Sequence, residues 1–431
     1  MSQITPIGTT NHQNRNFSFG IKEKDRSGHI YCIGKTGVGK STLLLNMAIG
    51  DILQGKGVGV FDPHGDLIQM ILDYIPKGRI QDIIYFNPSD TEYLISYNPL
   101  YELREENRYQ VASNIVSVFK KLWNESWGPR MEHILRNTIH TLTYYPHATL
   151  LDISLLLTDY NFRMQVLHHV TNQPLLDFWS KEFTPLTLQQ KNEHIAPILN
   201  KVGILGTHPI IKSIIGNSIS SFDIAKVMDE KKILLVNLSK GILGEAGTQF
   251  LGSLLVTQFQ TASLERAKRH IHERTPFYLY IDEMHSFVTL SFADILSESR
   301  KYGLSLFLTH QFLDQLHEDI RKATLGNIGT LIVFRIGTED AETLEHEFHP
   351  TFTKEDLAML PQYSIYIKLL IDGTVSQPFS ATTNPLTYPK TYIKNELIVY
   401  SRKRYNCLQQ YKTKNKRSQN VKNTYNGTLF A

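Results

Sequence analysis

The sequence predicts an α/β chain in which one parallel-rich sheet is interrupted by an all-helical insertion. Three observations carry that reading. Continuous apolar runs, the pattern of strands covered on both faces, occur at His29–Ile33, Gly57–Phe61 and Ile83–Phe86 and resume from Ile233 onward. Between about Tyr101 and Phe222 the strand pattern disappears and apolar residues recur at helical spacing, as at Met131, Ile134, Leu135, Ile139 and Leu142. The first apolar run leads directly into a glycine-rich phosphate-loop pattern and then an amphipathic segment, the order strand, loop, helix.

Taken in order, residues 1–100 form the first part of the α/β domain, with strands at the three early runs and a helix over Thr42–Gln54. Residues 101–222 form the helical insertion, which holds Trp123, Trp127 and Trp179. Residues 223–389 return to the sheet through runs at Ile233–Leu238, Phe277–Ile281, Leu304–Leu308, Leu331–Phe334 and Tyr363–Leu370. The stretch Arg266–Arg274 reads as an exposed helix end followed by a linker. Residues 390–431 are expected to be a weakly ordered basic tail, although Tyr392, Ile393, Leu397 and Ile398 leave a short docked helix or strand open.

At 431 residues, 41% hydrophobic and 20% charged, the chain has globular proportions and excludes wholesale disorder. No stretch approaches the roughly 18–20 apolar residues of a membrane span, and Met1–Gly20 lacks the pattern of a secretory signal. Cys32 and Cys407 have no metal-ligand spacing. These features lead us to expect a cytoplasmic protein. The net charge of +4 is uneven: the last 45 residues carry ten Lys/Arg against one Glu, leaving 35 basic and 40 acidic side chains in residues 1–386. A basic tail on a mildly acidic body suits either a polyanion-touching appendage or a solvated end.

The sharpest chemistry lies in Gly34-Lys35-Thr36-Gly37-Val38-Gly39-Lys40-Ser41, which fits G-x-x-x-x-G-K-[ST]. Its glycines allow a tight turn whose N–H groups point at phosphate oxygens, and the helix that follows from Thr42, itself a nucleotide-binding candidate, adds its positive end. Lys40 is expected on the β- and γ-phosphates of ATP and Ser41 on Mg2+. Asp282 and Glu283 end a strand run, which suits Asp282 to hold Mg2+ through water and Glu283 to orient the attacking water. Gln311, after the next strand, is placed to sense the γ-phosphate; neighbouring His310 either assists or only caps the strand. Asp62-Pro63-His64-Gly65-Asp66 reads either as a plain turn or as a second group reaching the nucleotide.

These motifs, with Asp25–His29, the FDPHGDL segment Phe61–Leu67, Trp127–Arg130, Tyr280–His285, Ser297–Gln311 and Gly326–Ala341, resemble the HerA/FtsK superfamily of P-loop motors, and within it the TraG/TraD-like coupling ATPases of type IV secretion and conjugation. The resemblance covers most of residues 17–385. It implies a RecA-like fold, ATP hydrolysis between subunits of a hexameric homo-oligomer, DNA drawn through a central channel, and a nuclease, relaxase or membrane secretion component as partner. It also implies an arginine acting across the subunit interface, for which Arg300 is the first candidate, Arg335 the second and Arg26 the third; Arg130 is expected to fix packing in the insertion. Membrane-bound coupling proteins begin with transmembrane helices, whereas this chain shows none, so a soluble variant, a separate membrane partner or another DNA-processing system is expected. Lys212 and Gly216–Ser221 form either a pore-facing loop or a helix connection. Two other functions share the same residues: a nucleotide-gated assembly protein and a motor for protein substrates.

Overall fold

The computed structural model describes residues 4–11 and 16–406, and the chain divides into two compact units. The first combines the segment up to residue 85 with 224–397; the second comprises 86–223 together with the segment that begins at 398.

The first unit is built on an eleven-stranded sheet. Its strands are β1 (Ile4–Thr10), β2 (Ser18–Lys22), β3 (Ile30–Ile33), β4 (Gly57–Asp62), β5 (Ile83–Phe86), β6 (Ile233–Asn237), β7 (Phe277–Ile281), β8 (Leu304–His310), β9 (Thr330–Val333), β10 (Ser364–Lys368) and, after the short ladder of β11 (Leu370–Ile371) with β12 (Thr374–Val375), β13 (Phe379–Thr383). Their order is β2-β1-β13-β10-β9-β3-β8-β7-β4-β6-β5. The pairs from β9 through β6 are parallel, and every residue of these six strands is buried, as their uninterrupted apolar sequences require. From β9 outward to β2 the pairing turns antiparallel. Strands β1, β2 and β13 had no signal of their own: β1 contains Gly8 and Pro6, and a bulge interrupts its register with β2 between them.

Register aligns the carboxyl ends of the central strands. Ile33 lies opposite both His310 and Val333, and Ile281 opposite Phe61 and Leu308. The phosphate loop, the Asp62 turn, the Asp282–Glu283 pair, Gln311 and Arg335 therefore all emerge along one edge, the edge at which open α/β sheets bind ligands.

A buried charge cluster ties β1 and the Glu23–Gly28 turn to the helix Lys40–Leu53. Arg26, 2% exposed, bonds Asp51 (0% exposed) through both terminal nitrogens at 3.3 and 3.0 Å, donates to the Thr5 and Tyr280 hydroxyls, and lies 4.4 Å from the Tyr278 ring centroid. Lys56 completes it, 3.1 Å from Asp51. This placement removes Arg26 from the interface-arginine candidates, because a guanidinium sealed inside its own subunit cannot reach another. Arg266 likewise departs from the exposed helix end expected of it. It is 1% exposed and bonds Asp229 and the carbonyls of Thr275 and Tyr302.

The second unit is helical through 108–215, with Arg108–Leu122, Pro129–Leu142 and Leu188–Thr207 its longest members. Trp179 packs edge-on against Phe178 and Phe183 and donates its indole N–H to the Thr141 hydroxyl at 2.8 Å. Arg130 meets His194 at 2.9 Å, a contact within the unit. The Gly216–Ser221 connection is stitched to residues 96–98 by bonds of the Ser220 and Ser221 hydroxyls with the Asn98 and Ser96 N–H groups. Residues 394–405 form a helix, Lys394–Tyr405, rather than the weakly ordered start of a tail. Its Leu397 and Ser401 are buried, and Arg402 pairs with Asp90 at 2.6 Å. The remaining tail, including Cys407, lies outside the described residues. Among the described residues no helix is long and apolar enough to cross a membrane.

Candidate functional site: a phosphate loop facing an acidic strand end

The loop between β3 and the helix Lys40–Leu53 is anchored by its neighbours. Gly34 N–H donates to the His310 carbonyl (3.2 Å), Lys35 N–H to the Arg335 carbonyl (2.8 Å), and the Val38 carbonyl accepts from Tyr363 N–H (2.9 Å). Gly37 and Gly39 carry φ angles of 77° and 121°, which side chains rarely tolerate. At Gly39 a Cβ would also lie 2.8 Å from the Tyr363 ring. Val38 is buried as the loop's apolar anchor, while Lys35, Thr36, Gly37 and Ser41 are exposed. Lys40 is buried, and its ammonium donates to the Gly34 and Lys35 carbonyls at 2.5 and 2.9 Å. That leaves a cation folded into the loop where phosphate oxygens would replace carbonyls.

Asp282 and Glu283 follow β7 and are both buried. Thr309 joins them: its hydroxyl donates to the Asp282 carboxylate and accepts Glu283 N–H at 3.2 Å. Burial pushes the Asp282 carboxyl up to about 6 against the opposing Thr309 hydrogen bond, and the nearby Glu283 and Asp62 carboxylates push the same way. A buried carboxylate so surrounded fits a divalent cation, and Ser41 lines the same cleft of about 430 Å3. Glu283 sits in a left-handed backbone conformation, φ 48° and ψ 58°, which turns its side chain out of strand alternation.

Gln311 connects the two halves. Its amide N–H donates to Glu283 at 2.6 Å while its carbonyl oxygen accepts the Thr36 hydroxyl at 3.1 Å. His310 points elsewhere: it is fully buried, bonds the Tyr31 hydroxyl at 2.8 Å, and burial lowers its pKa to about 3, with His285 and Lys40 adding to the effect. Asp62 shapes its turn, accepting His64 N–H at 2.8 Å and Ile68 N–H at 3.2 Å; exposed His64 lines the cleft.

The structure thus brings Gly34 through Thr42, Asp282, Glu283 and Gln311 together, and places Arg335, exposed, at the same edge beside Lys35. Arg300 is elsewhere. It lies in the Ser299–Tyr302 turn that precedes β8, at the opposite end of the sheet, near His29. Sequence reasoning missed Thr309, Gln362 and Tyr363. Thr309 was findable, as a hydroxyl at the end of β8 two residues before Gln311; Gln362 and Tyr363 reach the site through the β9–β10 pairing, which leaves no local trace.

Residues 18–362 match the family described as the type IV secretion-system coupling protein DNA-binding domain. No curated relative matches the sequence. Among solved structures, the chain is similar to the bacterial conjugative coupling protein TrwBdeltaN70 in its unbound form, at 17% identity over 90% of this chain and 91% of that one, with a TM-score of 0.62. It is similar to the plasmid coupling protein TrwB in complex with ADP and Mg2+, at 17% identity over 87% and 90% of the two chains and a TM-score of 0.60. VirB4 of Thermoanaerobacter pseudethanolicus follows at 14% identity, 89% and 97% coverage and a TM-score of 0.56. At such identities the likenesses carry the fold, whereas the family match carries membership. The chain belongs to the type IV secretion-system coupling-protein family, within the HerA/FtsK superfamily of P-loop ATPases.

Proposed function

We propose that the chain is a ring motor that hydrolyses ATP to ADP and phosphate and uses the energy to move DNA in conjugative transfer or type IV secretion. The observation that carries this is the Thr36–Gln311–Glu283 chain of hydrogen bonds, which joins the phosphate loop to the group that would activate water, in a chain of this family. Lys40 exchanges its two carbonyl partners for phosphate oxygens. Glu283 orients the nucleophilic water. Gln311, bonded to both sides, registers the γ-phosphate and relays its loss to β8. Ser41, directly, and Asp282, through water, hold Mg2+, which when bound neutralises charge building on the phosphates.

Six copies in a ring would place the cleft between subunits, and Arg300, remote from its own phosphate loop, supports an action in trans. Arg335, whose carbonyl holds Lys35 in the same chain, fits a role in its own subunit better. DNA is the cargo, and a relaxase, nuclease or membrane component of the secretion machinery is the partner that brings this cytoplasmic chain to the membrane.

The test is ATP turnover with and without DNA, together with particle mass with and without a non-hydrolysable analogue. Stimulation by DNA and a nucleotide-dependent ring support the motor. Turnover indifferent to DNA would favour a nucleotide-gated assembly protein, and stimulation by a protein cargo alone a protein motor. In the same assay Lys40→Ala should lose nucleotide binding, whereas Glu283→Gln should keep ATP and lose turnover by about a hundredfold or more.

A further inference from the structure

The sheet order gives the cleft a direction. The phosphate loop follows β3, with β8 and β7 on one side of it and β9 and β10 on the other. Glu283 and Gln311 leave β7 and β8, so the γ-phosphate end lies on that side. A triphosphate laid along the loop must then send its nucleoside toward β9 and β10. There the turn into β10 brings Gln362 and Tyr363 into the same cleft.

Tyr363 is built as a platform. Its φ of 63° lies in the left-handed region, an uncommon conformation for a bulky residue. The backbone is held there by its N–H on the Val38 carbonyl and by its own carbonyl accepting Thr383 N–H, both 2.9 Å. One edge of the ring rests on Gly39. Even so, 43% of the residue stays exposed. Burial therefore does not account for the strain, and a strained residue fixed at the mouth of a cleft is how a structure stations a ligand-binding group.

We infer that Tyr363 is the platform on which the nucleobase of a bound nucleoside triphosphate stacks, so that the base is held by its π-surface and adenine and guanine are accepted alike. This rests on reading the cleft as a triphosphate site. An aromatic face recognises the π-surface of a base and not its hydrogen-bonding pattern. The polar neighbour, Gln362, already donates its amide N–H to the Gly37 carbonyl at 2.9 Å and is committed to the loop.

The test measures binding of Mg-ATP, Mg-GTP and Mg-tripolyphosphate, which has no base, to the full chain and to two variants. Tyr363→Asn removes the ring while tolerating the left-handed backbone; Tyr363→Phe keeps the ring. Expected is a loss of about tenfold or more for both nucleotides in Tyr363→Asn, tripolyphosphate held within about twofold, and Tyr363→Phe behaving as wild type. Equal ATP affinity in wild type and Tyr363→Asn would overturn the inference. So would a parallel loss of tripolyphosphate, which would make Tyr363 a brace for the loop. If the wild-type chain binds neither ATP nor tripolyphosphate, the triphosphate site itself is wrong, an outcome distinct from a missing base contribution.

Discussion

His29 shows how a single side chain can carry pH dependence into a fold. Its ring is buried, Nδ1 accepts the Leu306 N–H at 3.2 Å, and burial lowers its pKa to about 4, with Arg300 pushing the same way. A lowered histidine pKa means that the unfolded chain takes up protons that the folded chain refuses. Stability is therefore retained above the unfolded value of about 6.5 and falls as pH drops toward 4. At pH 5 the loss attributable to His29 is about 2 kcal/mol. Asn suits the site, because His29 has a φ of 61° and Asn tolerates that conformation. Urea midpoints at pH 7 and pH 5 check this: the wild-type midpoint should fall further than that of His29→Asn, and equal falls would place the acid sensitivity elsewhere. Residue-scale placement was legible in the sequence where it was local: Lys40, Ser41, Asp282 and Glu283 come from two short motifs and line one cleft. It was illegible for Arg26 and Arg266, because a charge buried through partners 25 or 37 residues away looks like any surface arginine in the sequence.

At the scale of elements, strands made of continuous apolar runs announce themselves and strands of mixed composition do not. β3, β4, β6, β7, β8 and β9 were readable from continuous apolar runs. β1, β2 and β13 mix threonine, serine and glycine and exist because a neighbour pairs with them. The helix Lys394–Tyr405 was masked by charge, since Leu397 and Ser401 supply its buried face between Lys, Arg and Glu residues. Its order moves the boundary of any polyanion-binding appendage to residue 407. The 25 residues from there on hold five Lys/Arg and no acid. Ending the chain at Asn406 should leave DNA-independent turnover within about twofold while flattening the plot of log DNA affinity against log salt by up to about 4 units, at 0.7–0.9 per phosphate contact. Binding across a salt series decides it; an unchanged slope would mean that the last residues touch no phosphate.

For the whole molecule, the decisive fact is that the phosphate loop and Arg300 lie at opposite ends of the central sheet. The phosphate loop lies at the carboxyl ends of the strands, and Arg300 precedes β8 at the other end. Seven residues of strand at about 3.3 Å each separate them, more than any side chain spans. Two individually inactive proteins, Lys40→Ala and Arg300→Ala, should then recover part of wild-type turnover when mixed, since some interfaces pair an intact loop with an intact arginine. Turnover of verified mixed assemblies measures this, and absence of recovery would make Arg300 a structural residue near His29. The change of hydrophobic period marks the helical stretch that lies within the unit of residues 86–223, but not where that unit begins, because β5 and the turns after it carry no helical spacing. The order of the strands was not legible, because β9 and β10 reach their places through pairings that no local pattern encodes.

Cys32 lies in β3 with Thr309 on one side and Ile332 on the other. No part of it is exposed, and burial pushes its thiol up to about 12, with Asp282 adding to the rise and Lys40 opposing it. Such a sulfur is chemically silent while the sheet is intact and reacts only when β3 parts from its neighbours. The strand that ends in the phosphate loop thus contains its own chemical clock. In a chain with Cys407→Ser, the rate of maleimide addition should report opening of the sheet centre, and Mg-ATP, by binding the closed form alone, should slow that clock in proportion to its occupancy.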